Sequence, residues 1–188
     1  MCGRYVLNDP TLAGEEFRIE IDSPPWKPNY NVAPSQEVMV IDEQDGKRIA
    51  VSMQWMLVPH WSKTRKLKYP TINARREGIE TKASWRTPFR RTRCLIPNSG
   101  FIEWKKIDSK TKQPYLIYIK DKPIAAFAGI WDTWMDKETG KTLESCAIIT
   151  TEANDLVASI HDRMPVYLHP EEYDEWLDPD NHNIDELV

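Results

Sequence analysis

Glycine is scarce in this chain, with seven in 188 residues. They form no phosphate-cradling loop, which sets aside the common nucleotide-binding fingerprints. Cysteine is scarcer still: Cys2, Cys94 and Cys146. Three thiols make no disulfide framework, and Asn8, Asp9, Glu15 and Glu16 interrupt any signal-like apolar run. A reducing compartment, the cytoplasm, is therefore expected. The four histidines (His60, His161, His169, His182) have no zinc-site spacing and no cysteine pair beside them, so neither metal nor cofactor is expected. No stretch is apolar enough to span a bilayer, so no membrane partner is expected either.

Proline and tryptophan are plentiful, at fourteen and eight residues. Many prolines favour turns and extended segments over a helical bundle. Length and a 40% hydrophobic, 29% charged composition fit one ordinary globular domain over residues 1–188. Charge is segregated. Residues 63–93 hold eleven lysines and arginines against only Glu77 and Glu80, a net of +9. The whole chain carries −4, so the remainder carries −13. Such asymmetry implies a polyanion-binding face on an acidic body. Trp55, Trp131 and Trp134 lie in apolar strand patterns and read as core. Trp61, Trp85 and Trp104 sit near basic or polar residues, where an aromatic face can stack on an unpaired base. No recognition helix is apparent, which favours single-stranded over duplex nucleic acid.

The local pattern predicts a helix over 9–20, capped by Asp9 with Pro10 at its first position. An irregular proline-rich stretch covers 23–34. Strands are expected over 37–41 and 48–58, joined by a turn at Asp45-Gly46. Residues 73–81 suggest a helical turn or two. Strands follow at 93–96 and 101–104, separated by a Pro97–Gly100 turn. Segments 114–119 and 124–131 read as a hairpin-like pair, and 141–150 as one more strand. Residues 151–160 and 171–177 read as helices, before a loose acidic tail at 178–188. The sum is an α+β domain around a curved, mainly antiparallel, barrel-like sheet with a few flanking helices. A monomer is expected, since no extra apolar helix calls for a partner.

Cys2 follows the initiator methionine, which is normally trimmed before a small side chain. Its removal leaves an α-amine and a thiol on adjacent carbons. The amine, with a reference pKa of about 7.7–8.0, is partly neutral and nucleophilic near pH 7. Such a 1,2-aminothiol condenses with an aldehyde to close a thiazolidine, or attacks an acyl group with the amine as base. Arg4 offers a cation that would lower the thiol pKa. Glu103 is flanked by Phe101, Ile102 and Trp104, an apolar setting that would raise a carboxyl pKa toward acid/base use. His161, at the end of an expected helix, could shuttle protons. Asn73 can both donate and accept, and Arg75 suits phosphate.

Taken together, Met1-Cys2-Gly3-Arg4-Tyr5, Tyr30-Asn31-Val32-Ala33-Pro34, Ile72-Asn73-Ala74-Arg75, Gly100-Phe101-Ile102-Glu103-Trp104 and Ile160-His161-Asp162-Arg163-Met164-Pro165 resemble the SRAP family, the abasic-site processing proteins. Further matches at Cys94–Pro97, Phe127–Trp131 and Ile148–Thr151 extend the resemblance over nearly the whole chain. The resemblance implies a sensor of abasic sites in single-stranded DNA that crosslinks the ring-opened aldehyde through Cys2. It also implies possible self-removal of Met1 and residence in the cytoplasm, at the nucleoid when bound to DNA. The catalytic residues it implies are Cys2, Asn73, Glu103 and His161. Arg4, Arg75 and Arg86 would hold phosphates, and Pro34, Trp61 and Trp104 would shape a site for a kinked strand. Thr150 and Arg163 are further DNA candidates.

Several positions depart from the family pattern. Gln54 and Met56 stand where arginine and glycine are common. Ser99 replaces a small apolar or acidic residue, Ile102 an aromatic, and Gly78 a threonine. Two other readings fit part of the chain. One is an amidohydrolase with an N-terminal cysteine nucleophile, since one class of glutamine amidotransferases also begins Met-Cys-Gly. The other is a noncovalent single-strand binder with a structural Cys2.

Overall fold

The computed structural model of the chain describes residues 2–19 and 26–181. In chain order its elements are β1 (Tyr5–Leu7), α1 (Ala13–Phe17), β2 (Asn29–Val32), β3 (Glu37–Gln44), β4 (Lys47–Trp55), β5 (Asn73–Arg75), α2 (Arg86–Arg91), β6 (Arg93–Asn98), β7 (Gly100–Lys106), β8 (Lys112–Ile117), β9 (Ala125–Met135), β10 (Thr142–Glu152), α3 (Asp155–Ala158), β11 (Arg163–Pro165), β12 (Tyr167–Leu168) and α4 (Tyr173–Leu177).

Five strands close on themselves in the order β10-β4-β3-β6-β9 and back to β10. Every neighbour in this ring is antiparallel except β4 and β10. Closure removes the exposed edges an open sheet would carry. Strand β5 adds to β10 in parallel, and β11 and β12 extend the sheet at β10 and β9. A second, four-stranded sheet has the order β2-β1-β7-β8. The architecture is thus the α+β, mainly antiparallel, barrel-like one expected.

The two sheets meet in one hydrophobic core. Tyr5 of β1 is buried and packs edge-on against Trp55 of β4 (centroids 5.3 Å apart) and Phe127 of β9 (5.9 Å). Each such pair is worth about 0.5–1.5 kcal/mol beyond the area it buries. This matters for Cys2, because Tyr5 nails the chain to the barrel three residues downstream.

Local signals located several elements well. Asp9 accepts from Thr11 N at 3.1 Å and opens a short 3₁₀ turn with Pro10 in place, followed by α1. The hairpin of β3 and β4 turns at Asp45 and Gly46, whose φ values of 52° and 71° suit a two-residue turn matched to strand twist.

Other expectations change. Residues 73–75 form a strand because β10 offers a ladder beside them, and the turns expected within 73–81 fall after it, where Ile79 N donates to Arg76 O (3.2 Å) and Lys82 N to Gly78 O (3.3 Å). Segment 112–117 pairs with β7 and not with β9, since Asp108 accepts from Lys110 N and Thr111 N and folds the chain back at that point. Strand β6 runs through Pro97 to Asn98, paired with β9 as far as Ala125, and the reversal falls at Ser99 and Gly100. At Gly100, φ is 143° and an added Cβ would lie 2.6 Å from Ile117 O, so only glycine fits. Pairing with β11 keeps 151–152 extended, leaving a helix of only four residues, capped by Asn154 Oδ1 accepting from Val157 N. The ends of the expected 9–20 helix and of the acidic tail, and the start of the 23–34 stretch, lie outside the described residues. Within the tail's first residues, Arg93 donates to Asp178 O and Asn181 O.

Candidate functional site

Cys2 is fully buried, not frayed. Its carbonyl oxygen accepts from Asn73 Nδ2 at 2.9 Å, and its thiol lies 3.6 Å from Arg4 O. Asn73 begins β5, which β10 holds through the pairs Ile148–Asn73, Ile149–Ala74 and Thr150–Arg75. The carboxamide is thus delivered to the N-terminus by a three-residue strand inserted beside the barrel. Asn73 Oδ1 is buried and has no hydrogen-bond partner among the described residues. It is an acceptor that an incoming N–H or O–H would satisfy.

Glu103 reaches the same place from the second sheet. Tyr5 pairs with Phe101, and Ile102 N donates to Arg4 O at 2.9 Å, so β1 and β7 run together up to the cysteine. Alternation along β7 turns Phe101 and Glu103 toward the core and Ile102 and Trp104 to the opposite face. Glu103 is 3% exposed. Burial, and next the Glu103 charge, push the Cys2 thiol well above its ordinary pKa. The lowering expected from Arg4 is therefore not found, and that guanidinium donates to Gly3 O at 2.8 Å. Cys2 rests as a neutral thiol.

His161 stands between α3 and β11, on the far side of β10 from β5. Its Nδ1 lies 3.0 Å from Arg163 N and 2.9 Å from Asp162 Oδ1. One nitrogen cannot serve both. As an acceptor from the Arg163 N–H it leaves the proton on Nε2; carrying a proton, it pairs with Asp162.

The remaining candidates divide by exposure. Arg75, at the end of β5, and Arg86, at the start of α2, are exposed, and Arg4 and Pro34 are half-buried. Trp61 is 53% exposed, yet its loop is pinned three times. Trp61 Nε1 donates to Ala83 O (3.1 Å), Trp134 Nε1 donates to Ser62 O (2.8 Å), and His60 N donates to Asp132 Oδ2 (2.9 Å). Trp61 thus presents an exposed ring from a loop that is held in place. Trp104 is partly exposed, on the face of β7 away from Glu103. Thr150 is fully buried. Arg163 is buried too, and grips Glu77 through two 2.8 Å hydrogen bonds.

The basic segment is not all available to a ligand. Arg93 is buried and donates to Trp176 O (2.6 Å), Phe89 O (3.0 Å) and Arg90 O (2.9 Å), bonding α2 to α4. Arg65 donates to Gln54 Oε1, so a guanidinium occupies the neighbourhood where arginine is common in the family. Sequence reasoning overlooked Glu77 and Asp132, whose partners lie 86 and 72 residues away. No cluster of His, Cys, Asp or Glu among the described residues could hold a metal, and no described helix is long and apolar enough to cross a membrane.

Abasic site processing protein YoqW of Bacillus subtilis (strain 168) is 42% identical over 190 residues, covering 100% of this chain and 84% of YoqW. Abasic site processing protein HMCES of Xenopus tropicalis is 30% identical over 187 residues, covering 84% of this chain and 56% of that protein. Among solved structures, a protein from Bacteroides thetaiotaomicron is similar with a TM-score of 0.84 at 30% identity, covering 98% of this chain and 84% of that one. The family model described as SOS response associated peptidase (SRAP) matches residues 1–188. A chain matched from end to end by that model, with these relatives, belongs to the SRAP family.

Proposed function

We propose that the protein captures ring-opened abasic sites in single-stranded DNA as a covalent thiazolidine on Cys2. The observation that carries this reading is the docking of Cys2: buried, held by Asn73 Nδ2 at 2.9 Å and within reach of the Glu103 charge. A structural cysteine at a chain end needs neither neighbour. The relatives' name, abasic site processing protein, supplies the electrophile.

The reaction first needs Met1 to leave, because an amide nitrogen does not condense with an aldehyde. Asn73 Nδ2 holds the Cys2 carbonyl and Glu103 acts on the Cys2 thiol, and the peptidase in the family's name fits self-removal of Met1 at this cysteine. The freed amine then attacks C1′ of the open sugar, and water departs as the imine forms. The thiol adds across the C=N bond: sulfur joins carbon, and its proton passes to nitrogen. A neutral buried thiol needs a base for this step, and Glu103 is the carboxylate at hand. Asn73 Oδ1, the unsatisfied acceptor, orients the amine or a sugar hydroxyl. His161 moves protons in imine formation and reversal.

Arg4, Arg75 and Arg86 hold phosphates, while Pro34 and the exposed faces of Trp61 and Trp104 take flanking sugars or bases. Thr150 and Arg163 are given no DNA contact, because both are buried and Arg163 is bonded to Glu77. The protein acts as a monomer in the cytoplasm, at the nucleoid when bound.

Intact-mass spectrometry of the Met1-free protein mixed with an abasic single-stranded oligonucleotide tests the reading. A species at the summed mass less one water, absent with an intact oligonucleotide, supports it. No adduct refutes it, and glutamine turnover would then favour the amidohydrolase.

A further inference from the structure

We propose that Glu77 and Arg163 form a positioning clamp that holds the Asn73 strand and His161 in one arrangement for crosslinking; the proposal rests on the abasic-site reading above. Strand β5 is only three residues long, and β10 is its ladder partner. Three residues of parallel pairing are a weak hold for a side chain that must meet Cys2. The chain beyond β5 supplies the rest. Arg76 N donates to Thr150 O at 2.8 Å, and Arg163 Nη2 donates to that same oxygen at 2.7 Å. Arg163 Nη1 and Nη2 also meet the two Glu77 carboxylate oxygens at 2.8 Å each.

This paired geometry needs a planar fork, which lysine lacks. Arg163 is buried while the Glu77 side chain is 51% exposed, so the carboxylate closes over the guanidinium from the rim. Its carboxyl is held below the usual range, chiefly by Arg163, with Arg75 adding. The other end of Arg163 faces His161, whose Nδ1 accepts from the Arg163 backbone N–H at 3.0 Å. One residue thus fixes the orientation of the imidazole through its backbone and the exit of β5 through its side chain. Asn73 lies on one side of β10 and His161 on the other, and the clamp spans between them. The guanidinium is neutralised by Glu77, which removes it from the phosphate-binding charge.

The test uses the full-length, Met1-free protein with Glu77→Gln, Glu77→Asp and Arg163→Lys. Single-turnover crosslinking to an abasic single strand is measured beside the Kd and salt dependence for an intact strand. Misplacing a reacting group by about 1 Å can cost roughly 100-fold in rate. We expect Glu77→Gln to slow adduct formation by about tenfold or more while binding the intact strand no more weakly than wild type, since the change only adds net positive charge. Glu77→Asp, which keeps the carboxylate, should recover much of the rate. A folding defect alone would not separate rate from affinity in this way. A Glu77→Gln rate within twofold of wild type overturns the clamp. So does a marked loss of affinity for the intact strand in Arg163→Lys, which would make Arg163 a phosphate contact. If Arg163→Lys fails to fold, the two Glu77 variants decide. Failure of the wild-type protein itself to crosslink would instead remove the abasic reading, and the clamp with it.

Discussion

Replacing Met56 with glycine should stabilise the protein. Met56 follows β4 with φ at 156°, a backbone conformation that L side chains rarely adopt. It is held there because its N–H faces Gln54 O and Cys146 O, each at 3.1 Å, while Trp55 N bonds to Gln36 O at 2.9 Å. A residue forced into such a region costs about 1–3 kcal/mol. Glycine relieves this but loses about 0.5–1 kcal/mol in chain entropy. It also gives up the contacts of a half-buried side chain, whose sulfur meets Ser35 Oγ only at 4.0 Å. The net is a gain of about 1 kcal/mol, or roughly 2–4 °C in Tm for a domain of this size. Met56→Ala is the control, since it sheds the same contacts but keeps a Cβ at the strained φ. At an ordinary site in an element interior alanine beats glycine by about 0.5–1 kcal/mol. At position 56 the order should invert. Urea and thermal unfolding of both variants measure this directly, and Met56→Ala equal to or more stable than Met56→Gly would refute the argument.

Cys2→Ser keeps the amine and should give only a labile imine, seen as adduct loss on heating in denaturing gels; a heat-stable crosslink at full yield would exclude ring closure. Arg75→Ala should weaken binding to an intact single strand and lower the log–log salt slope by about 0.7, leaving the adduct mass unchanged. Equal affinity at low salt would remove Arg75 from the phosphate path. Stability should fall as pH rises above about 8.5, where the thiols of the unfolded chain ionise. Burial pushes Cys146 up to about 12 and raises Cys94 and Cys2 as well. Each folded pKa lies above its unfolded value, so the stabilisation is complete below the unfolded pKa and lost toward the folded one. Each thiol contributes about 1.4 kcal/mol per pH unit over that window. A urea midpoint unchanged between pH 8 and 10.5 would contradict this.

The places where sequence reasoning went astray share a cause. Residues 73–75 carry no alternation long enough to read as a strand; they become one because Ile148–Thr150 lie open beside them. Segment 114–119 reads as half of a hairpin with 124–131 because its own composition is silent about partners. The partner was β7, set by the Asp108 turn. Arg93 and Arg163 read as free cations in a basic or motif context, yet both are buried on carbonyl oxygens and, for Arg163, on Glu77. A charge census registers that an arginine exists, not which way it points.

The sequence by itself determined which groups the chain carries: a thiol at Cys2, a carboxamide at Asn73, a carboxyl at Glu103 and an imidazole at His161. These are properties of residue type and of motifs a few residues long. It also determined the turns that need special backbone, at Asp45-Gly46 and Gly100, because φ preferences are local. Only the tertiary structure decided what those groups meet. Asn73 touches Cys2 across 71 residues of chain, and Arg163 meets Glu77 across 86. Such contacts depend on closing the barrel and on pairing β5 and β11 to opposite sides of β10. That pairing is a choice among ladders of similar local merit, and it is made by burying one common core.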